Sequence, residues 1–244
     1  SELENLVKNH NIGTIKMEVS RSEEPKDGFL EKVRSLATKN NIVLIFDECT
    51  SGFRETFGGL HIKYGVQPDL AVFGKAIGNG YALTAVIGKR AIMEHAQSSF
   101  ISSTFWTERI GPSASLKTLE VMEDVQSWKK ITKTGKKIKS LWTEMFNSHG
   151  IDITTWGLSA LPGFTIEGSQ SLAYKTLITQ EMLKDGYLAS NTVYVCTEHT
   201  SDILDGYFQR LERIVKLIEK CENGLDVNTL LDDEICHSGF KRLN

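Results

Sequence analysis

The sequence lacks any long apolar segment. None of its hydrophobic runs approaches the roughly 20 residues that a helix needs to cross a bilayer. Its polar first residues, 1–5, have neither the basic region nor the apolar region of a secretory signal. We therefore predict a cytoplasmic protein with no membrane partner. Hydrophobic residues still make up 40% of the chain, which is enough to bury a core.

The sequence also lacks a surplus of positive charge and any closely spaced cysteines. With 28 Lys and Arg against 31 Asp and Glu, the formal net charge is -3. Such a chain has no excess of cations to neutralise nucleic-acid phosphates, so we predict no nucleic-acid partner. The cysteines are Cys49, Cys196, Cys221 and Cys236. Because no two of them form a C-x-x-C pair, we predict neither a disulfide framework nor a metal site.

Apolar residues in the first half alternate between strand-like and helical spacing. Residues 12–19 are strand-like, 27–40 have apolar positions at helical spacing, and 42–46 form a continuous apolar run. Strand, helix and strand in this order predict a βαβ unit with a parallel sheet. The run at 42–46 is typical of a strand buried on both faces. Further short strands are predicted at 70–73 and 83–87.

The second half has a different pattern. A long helical stretch, 112–149, is predicted to break near Gly135, and an amphipathic helix is predicted over 201–221. Shorter elements are predicted between them: strands at 151–156 and 161–166, a helix at 172–185 and a strand that ends at Cys196. We therefore predict a large α/β domain over 1–135 and a smaller α+β domain over 136–244.

Asp47 directly follows the most apolar strand of the sequence. Open α/β sheets bind ligands outside the carboxyl ends of their strands, so Asp47 is a candidate site residue; a helix or loop cap is the alternative. An apolar strand followed by Asp-Glu is also typical of P-loop proteins that bind Mg²⁺. Their phosphate loop requires Gly-Lys followed by Ser or Thr, and here the Gly-Lys pairs precede Ala76, Arg90 and Lys137. Nothing in this chain supplies that loop.

Lys75 lies in a glycine-dense turn, 74–80, directly after the predicted strand 70–73. Its apolar neighbours suggest a desolvated lysine held close to the backbone, and such a lysine can become an imine-forming nucleophile. A solvated surface lysine is the alternative. A carboxylate at one strand end and an amine after the next suggest pyridoxal phosphate (PLP). Asp47 would pair with its pyridinium nitrogen, and Lys75 would form a Schiff base with it.

Several motifs together resemble one known family. They are, in order, IFDECTSGFR at 45–54, Gly58-Gly59, YGVQPDL at 64–70 and GKAIGNG at 74–80. With these motifs, the sequence from about Glu18 to Glu120 resembles the class III PLP-dependent aminotransferases. It is most similar to the branch that contains glutamate-1-semialdehyde aminomutase. The resemblance implies part of the large domain of a fold type I PLP-dependent transferase, with a mostly parallel sheet, followed by a smaller C-terminal α+β domain.

The resemblance also implies roles for individual residues. Lys75 would form the Schiff base and later move a proton between substrate and cofactor, while Asp47 would keep the ring nitrogen protonated. Cys49 occupies the position where the family usually has a valine under the ring, and a cysteine can act there as a small hydrophobic residue; an inert buried thiol is the alternative. Thr104 matches the residue whose hydroxyl reaches the cofactor phosphate of the neighbouring subunit, which implies a homodimer. An ordinary loop threonine is the alternative there.

Two segments depart from the aminomutase pattern near the expected substrate pocket, namely 17–21 (MEVSR) and 107–109 (TER). They favour a different aldehyde or keto acceptor over the semialdehyde. The sequence therefore predicts an aminotransferase that moves an amino group from an amino donor to such an acceptor, with an intramolecular aminomutase as the alternative. Arg21, Arg54 and Arg109 could each bind a substrate carboxylate through the guanidinium fork or could be ordinary surface charges.

One part of the family pattern is unmatched. The loop that holds the cofactor phosphate and the aromatic residue that stacks on the ring would both lie upstream, and no such loop precedes Glu18. We therefore expect this chain to be the C-terminal portion of a longer enzyme, or to borrow those groups from another polypeptide. A catalytically incomplete family member that acts as a binding or partner subunit is the remaining alternative.

Overall fold

The computed structural model describes residues 1–105 and 107–239. The chain divides into two units between Lys130 and Ile131, so the boundary predicted at 135 lies inside a helix that continues across this division. The helices are α1 Glu2–Asn9, α2 Phe29–Lys39, α3 His61–Tyr64, α4 Arg90–Met93, α5 Ile110–Val125, α6 Ser127–Ser148, α7 Ser171–Lys184 and α8 Ser201–Glu222. The strands are β1 Thr14–Glu18, β2 Val43–Asp47, β3 Leu70–Phe73, β4 Ala85–Gly88, β5 Ile153–Trp156 and β6 Gly163–Ile166. Short 3₁₀ helices lie at Lys75–Ile77, Glu94–Ser98 and Val227–Leu230.

The first unit contains a four-stranded sheet in the order β1-β2-β3-β4. Strands β1, β2 and β3 are parallel, and β4 runs antiparallel to β3. Helix α2 connects β1 to β2 and buries Leu30, Val33 and Ala37, whose spacing of three and four residues places them on one face of the helix. The predicted βαβ unit and the α/β class are confirmed.

The two faces of β2 are buried to different extents. Leu44 and Phe46 on one face are fully buried, whereas Val43, Ile45 and Asp47 on the other face are only half-buried. Because side chains alternate along a strand, the apolar run forms a core on one side alone. The prediction of burial on both faces is therefore half right, and the more open face is the one that presents Asp47.

Asp69 joins four elements of the first unit through one carboxylate. Its Oδ2 accepts hydrogen bonds from the backbone N–H of Leu44 in β2, at 2.8 Å, and from the Arg34 guanidinium of α2, also at 2.8 Å. Its Oδ1 accepts one from Lys89 Nζ, just after β4, at 2.7 Å. Burial works to raise the pKa of Asp69, but these hydrogen bonds outweigh it and lower the pKa to about 2. The carboxylate therefore remains charged at the start of β3.

The second unit contains an antiparallel pair, β5 and β6, and one core built from α6, α7, α8 and β6. Phe164 lies at its centre, with ring centroids 4.8 Å from Trp142 and 5.2 Å from Phe146. The indole N–H of Trp142 donates to the buried Tyr207 hydroxyl at 3.0 Å. The strand predicted to end at Cys196 is reduced to a single β-bridge between Thr192 and Gly163.

The long helix predicted over 112–149 breaks at Gln126 rather than at Gly135. Gln126 adopts φ 50° and separates α5 from α6, while Gly135 lies within α6. A Cβ atom at Gly135 would collide with the carbonyl oxygen of Ser159 in the β5–β6 connection. The glycine therefore permits close approach of that connection to the helix, and the predicted break was wrong because this contact is not local in sequence.

Replacing Gly135 by alanine tests this close approach. The gain in helix propensity would be about 1 kcal/mol at an open position, but here the added methyl group overlaps Ser159, and overpacking of this kind typically costs about 1–3 kcal/mol. We expect a net decrease in the free energy of unfolding, measured by urea denaturation. Gly13→Ala is the matched control, because no atom lies within 4 Å of its added Cβ. Equal stabilities of the two variants would contradict the assignment.

The Asp69 carboxylate predicts a specific dependence of stability on pH. Its folded pKa of about 2 lies below the ordinary value of 3.8, so its contribution of about 2 kcal/mol is complete above pH ~4 and is lost as the pH falls towards 2. We expect Asp69→Asn to lose this stability at neutral pH and to show a shallower acid dependence in urea unfolding. Asp152→Asn, at an exposed aspartate, is the control. An unchanged acid dependence in Asp69→Asn would refute the prediction.

Candidate active site

Asp47, Cys49 and Lys75 lie together at the carboxyl edge of the sheet. Asp47 is the last residue of β2 and pairs in register with Val72 of β3, so the two strands end side by side. The turn after β3 carries Lys75, and a Cβ atom on Gly74 of that turn would lie 3.4 Å from Cys49 Sγ. The parallel register thus brings together three of the residues predicted from sequence.

Lys75 adopts an unusual backbone conformation. Its φ of 47° lies in the left-handed region, which non-glycine residues occupy rarely and which often marks functional sites. Its Nζ donates a hydrogen bond to Thr50 Oγ1 at 2.7 Å, and the side chain is exposed. The expectation of a desolvated lysine is therefore wrong: the amine reaches solvent and is positioned by a hydroxyl group.

A small hydrophobic cluster packs against the turn that carries Lys75. Ile77 is buried with Ala71 and Phe73 of β3, and Leu119 of α5 packs against this cluster. The apolar residues near Lys75 therefore point into this small core while Lys75 itself points out of it. This arrangement explains why apolar flanks in the sequence do not lead to a buried amine.

Both carboxylate oxygens of Asp47 are engaged. Oδ2 forms an ion pair with Lys16 Nζ at 2.9 Å, and Oδ1 accepts the backbone N–H of Cys49 at 3.1 Å. The Lys16 hydrogen bond is the main reason that the pKa of Asp47 falls below its ordinary value, and the same contact raises the pKa of Lys16. Asp47 is therefore anionic. Sequence reasoning missed Lys16; the only signal was a lysine within a strand-like segment.

The Cys49 thiol lies between these charged groups. It is half-buried, and burial together with the neighbouring Asp47 carboxylate raises its pKa. A thiol in this state remains protonated at neutral pH and is a poor nucleophile. Its environment therefore suits a small apolar contact rather than a reactive group.

A buried network supports the segment after β2. The Glu48 side chain is fully buried, and its Oε1 accepts hydrogen bonds from the backbone N–H of His61 at 3.0 Å and from His61 Nδ1 at 2.8 Å. Its Oε2 accepts the Ser51 hydroxyl. Burial works to raise the pKa of Glu48, but the hydrogen bonds outweigh it and lower the pKa. Sequence reasoning missed this network, although the Asp-Glu pair at the strand end was its signal.

Thr104 is exposed in the connection that precedes α5. It belongs to an exposed segment between the 3₁₀ helix Glu94–Ser98 and α5, and the described contacts do not join it to the residues around Lys75. In the neighbouring segment 107–109, the Glu108 carboxylate accepts the backbone N–H of Gly111 at 3.2 Å. Glu108 therefore caps α5, which gives one of the departures from the family pattern a structural role.

The three candidate arginines have different surroundings. Arg54 Nε donates to the carbonyl oxygen of Thr50 at 3.0 Å, so this guanidinium lies beside the Lys75 contact. Arg21 pairs with Glu18 at 3.5 Å and is highly exposed. Arg109 is an exposed residue directly before α5. Arg54 is thus the candidate whose position the site itself fixes.

A separate apolar groove of about 560 Å³ lies in the second unit. Leu183, Leu188 and Ile203 line it together with His199. Burial lowers the pKa of His199, and its Nδ1 accepts the backbone N–H of Cys196 at 3.0 Å, so this imidazole is neutral. None of the candidate site residues lines this groove.

The described residues contain neither a membrane span nor a metal cluster. Over 1–105 and 107–239, no helix combines the length and the apolar character that crossing a membrane requires. In the same ranges, no group of three or more His, Cys, Asp or Glu side chains is arranged to hold a metal ion.

Solved structures with the same fold include transaminases. The FumI protein of Sphingopyxis sp. MTA144, whose structure contains PLP, matches with a TM-score of 0.83 and 19% identity over 94% of this chain and 58% of its own. An omega-transaminase from Sphaerobacter thermophilus matches with a TM-score of 0.77 and 20% identity over 88% of this chain and 54% of its own. These likenesses confirm the predicted fold, that of the PLP-dependent transaminases.

The curated relatives found by sequence share a higher sequence identity with this chain than these two solved structures do. A 3-aminobutyryl-CoA aminotransferase of Cloacimonas acidaminovorans is 34% identical over 186 residues, which cover 74% of this chain and 45% of the relative. A glutamate-1-semialdehyde 2,1-aminomutase of Methanosphaera stadtmanae is 29% identical over 205 residues, covering 77% of this chain and 48% of the relative. The chain thus spans about half the length of the curated relatives that it matches.

The family model for class III aminotransferases matches residues 3–180. This range includes the division between the two units, and it includes every candidate residue around Asp47 and Lys75. The resemblance inferred from the motifs is confirmed, and the family is one of PLP-dependent enzymes. The chain therefore belongs to the class III aminotransferase family.

Proposed function

We propose that this chain carries the active-site lysine and aspartate of a PLP-dependent aminotransferase, an enzyme that moves an amino group from an amino donor to an aldehyde or keto acceptor. The observation that carries the proposal is the meeting of Asp47 and Lys75 at one edge of a parallel sheet, where open α/β folds bind their ligands. Membership of the class III family supports the same function.

The residues present fit the ring and the aldehyde of PLP. Asp47 is a half-buried carboxylate whose pKa is lowered, which suits a cationic ring nitrogen. Lys75 offers a primary amine that is accessible to solvent and held by Thr50, which suits an aldehyde. Cys49 offers a small protonated side chain between them. The phosphate requires further groups, and the family resemblance suggests Thr104 of a neighbouring subunit as one of them.

Each side chain then has a definite task. When bound, PLP supplies an aldehyde that condenses with amines and a ring that accepts electrons. Lys75 Nζ would hold the cofactor through its aldehyde carbon and would carry the proton of the substrate carbon. Asp47 would favour a proton at the ring nitrogen, because a carboxylate favours a charged neighbour of opposite sign. Thr50 orients Lys75 Nζ, and Cys49 would offer the ring a small apolar contact.

The oligomeric state, the location and the roles of the two domains are part of this proposal. Residues 1–135 would contribute to the PLP-binding large domain, and 136–244 would form the small domain. The family resemblance favours a homodimer with the active site at its interface, and the composition favours a cytoplasmic location. These statements remain predictions.

The first test is covalent capture of the cofactor. We expect the purified chain mixed with PLP to develop a visible absorbance, and reduction with borohydride to leave a cofactor adduct on Lys75, located by mass spectrometry of peptides. Lys75→Ala should lose the adduct entirely, because the amine is gone. Lys26→Ala is the control, since Lys26 is an exposed lysine paired with Glu23.

Two outcomes would count against the proposal. An adduct that persists in Lys75→Ala would place the reactive amine elsewhere. A wild-type protein that remains colourless with excess PLP would favour the alternative of a catalytically incomplete family member that acts as a binding or partner subunit.

An intramolecular aminomutase is the second candidate, favoured by the 29% identity with a glutamate-1-semialdehyde 2,1-aminomutase. An aminotransferase consumes an external amino donor, whereas an aminomutase needs none. We expect an added amino donor to convert bound PLP to its amine form and an added carbonyl acceptor to restore PLP. Both conversions are measured by the change in visible absorbance. Because one relative is named for an amino group on a β-carbon in a CoA thioester, β-amino acyl thioesters belong in the donor screen. Rearrangement of the semialdehyde without any donor would support the aminomutase instead.

A further inference from the structure

Lys16 occupies a position that faces the candidate cofactor site. The register of β1 and β2 pairs Lys16 with Ile45 and Glu18 with Asp47. Paired residues of parallel neighbours point to the same side of a sheet, and so do alternate residues of one strand. Lys16, Glu18 and Asp47 therefore share the more open face of the sheet, the face that presents the Asp47 carboxylate.

The ammonium group of Lys16 pairs with the Asp47 oxygen that the cofactor's ring nitrogen would need as its partner. Asp47 Oδ1 is already bonded to the backbone N–H of Cys49, and Lys16 Nζ lies 2.9 Å from the remaining oxygen, Oδ2. A protonated ring nitrogen is a cation as well. Two cations at one carboxylate repel each other, so full pairing of either group weakens pairing of the other.

A second carboxylate is available to pair with Lys16. Its side chain is 57% exposed, so the long alkyl stem is free to move. The Glu18 carboxylate lies on the same face and attracts the Lys16 charge, while Arg21 holds Glu18 only loosely, at 3.5 Å. A movement of Lys16 from Asp47 towards Glu18 would release Asp47 Oδ2 without leaving the ammonium group unpaired.

We propose that Lys16 is a positioning residue that competes with the cofactor's ring nitrogen for Asp47. In the cofactor-free protein it holds the carboxylate charged and oriented; when the cofactor binds, it is displaced, and this displacement lowers the affinity for PLP. The inference rests on the proposed function, because it requires a cofactor whose ring nitrogen meets Asp47.

The test compares PLP affinity in four forms of the chain: wild type, K16M, K16R and K8M. K16M keeps the length of the stem and removes the charge, K16R keeps the charge, and K8M removes a charge from an exposed lysine of α1. Partly exposed ion pairs contribute about 0.2–1 kcal/mol, so we expect K16M to bind PLP more tightly by a factor between about 1.4 and 5. K16R and K8M should bind like the wild type. Affinity is measured by equilibrium dialysis.

A second ligand separates competition from a general structural effect. In the carbocyclic analogue of PLP, a C–H group replaces the ring nitrogen, so it has no cation to compete with Lys16. We expect K16M and the wild type to bind this analogue equally. Equal tightening for both ligands would show a structural effect and overturn the inference, as would unchanged or weaker PLP binding by K16M.

Borohydride capture distinguishes failure of the inference from failure of the proposed function. If wild type and K16M both form the Lys75 adduct but differ in none of these affinities, only the role of Lys16 is refuted. If neither forms the adduct, the proposed function is refuted. The role of Lys16 is then refuted as well, because it depends on that function.

Discussion

Parallel pairing of β1, β2 and β3 is the constraint on which the candidate site depends. The register places Glu18 beside Asp47 and Asp47 beside Val72, so the strands finish at one edge and the connections after them start there. An amine that follows one strand and a carboxylate that ends its neighbour thereby become neighbours in space. Asp69, at the opposite end of β3, fixes this alignment by bonding β2, α2 and the residue after β4.

Those parts of the fold that follow from local pattern were predictable from the sequence. The apolar run of β2, the amphipathic helix α2 and the glycine-dense turn after β3 each have a signal within a few residues, and together they were enough to place Asp47 and Lys75 at one sheet edge. Gly135 shows where local pattern fails. Glycine usually weakens a helix, yet Gly135 lies within α6, where its missing Cβ atom leaves room for the Ser159 carbonyl oxygen of the β5–β6 connection.

The remaining features of the site depend on register and on backbone conformation. Lys16 reaches Asp47 only because β1 and β2 pair in one particular register, and a shift of one residue would turn it to the other face. Lys75, whose φ is 47°, is exposed, whereas Ile77 two residues later packs into the core beneath the turn. Apolar flanks were therefore a correct sign of a core beneath the turn and a wrong guide to the surroundings of the amine.

The Asp-Glu pair at the end of β2 has two separate tasks, because successive residues of a strand face opposite ways. Glu48 turns to the buried side, where hydrogen bonds from His61 and Ser51 satisfy its charge permanently. Asp47 turns to the open side, where an exposed lysine balances its charge. A charge satisfied inside the core stabilises the fold and cannot be given up, whereas a charge satisfied by a flexible surface group can be transferred to a ligand. The chemistry of the site thus follows from which face of the strand each carboxylate occupies.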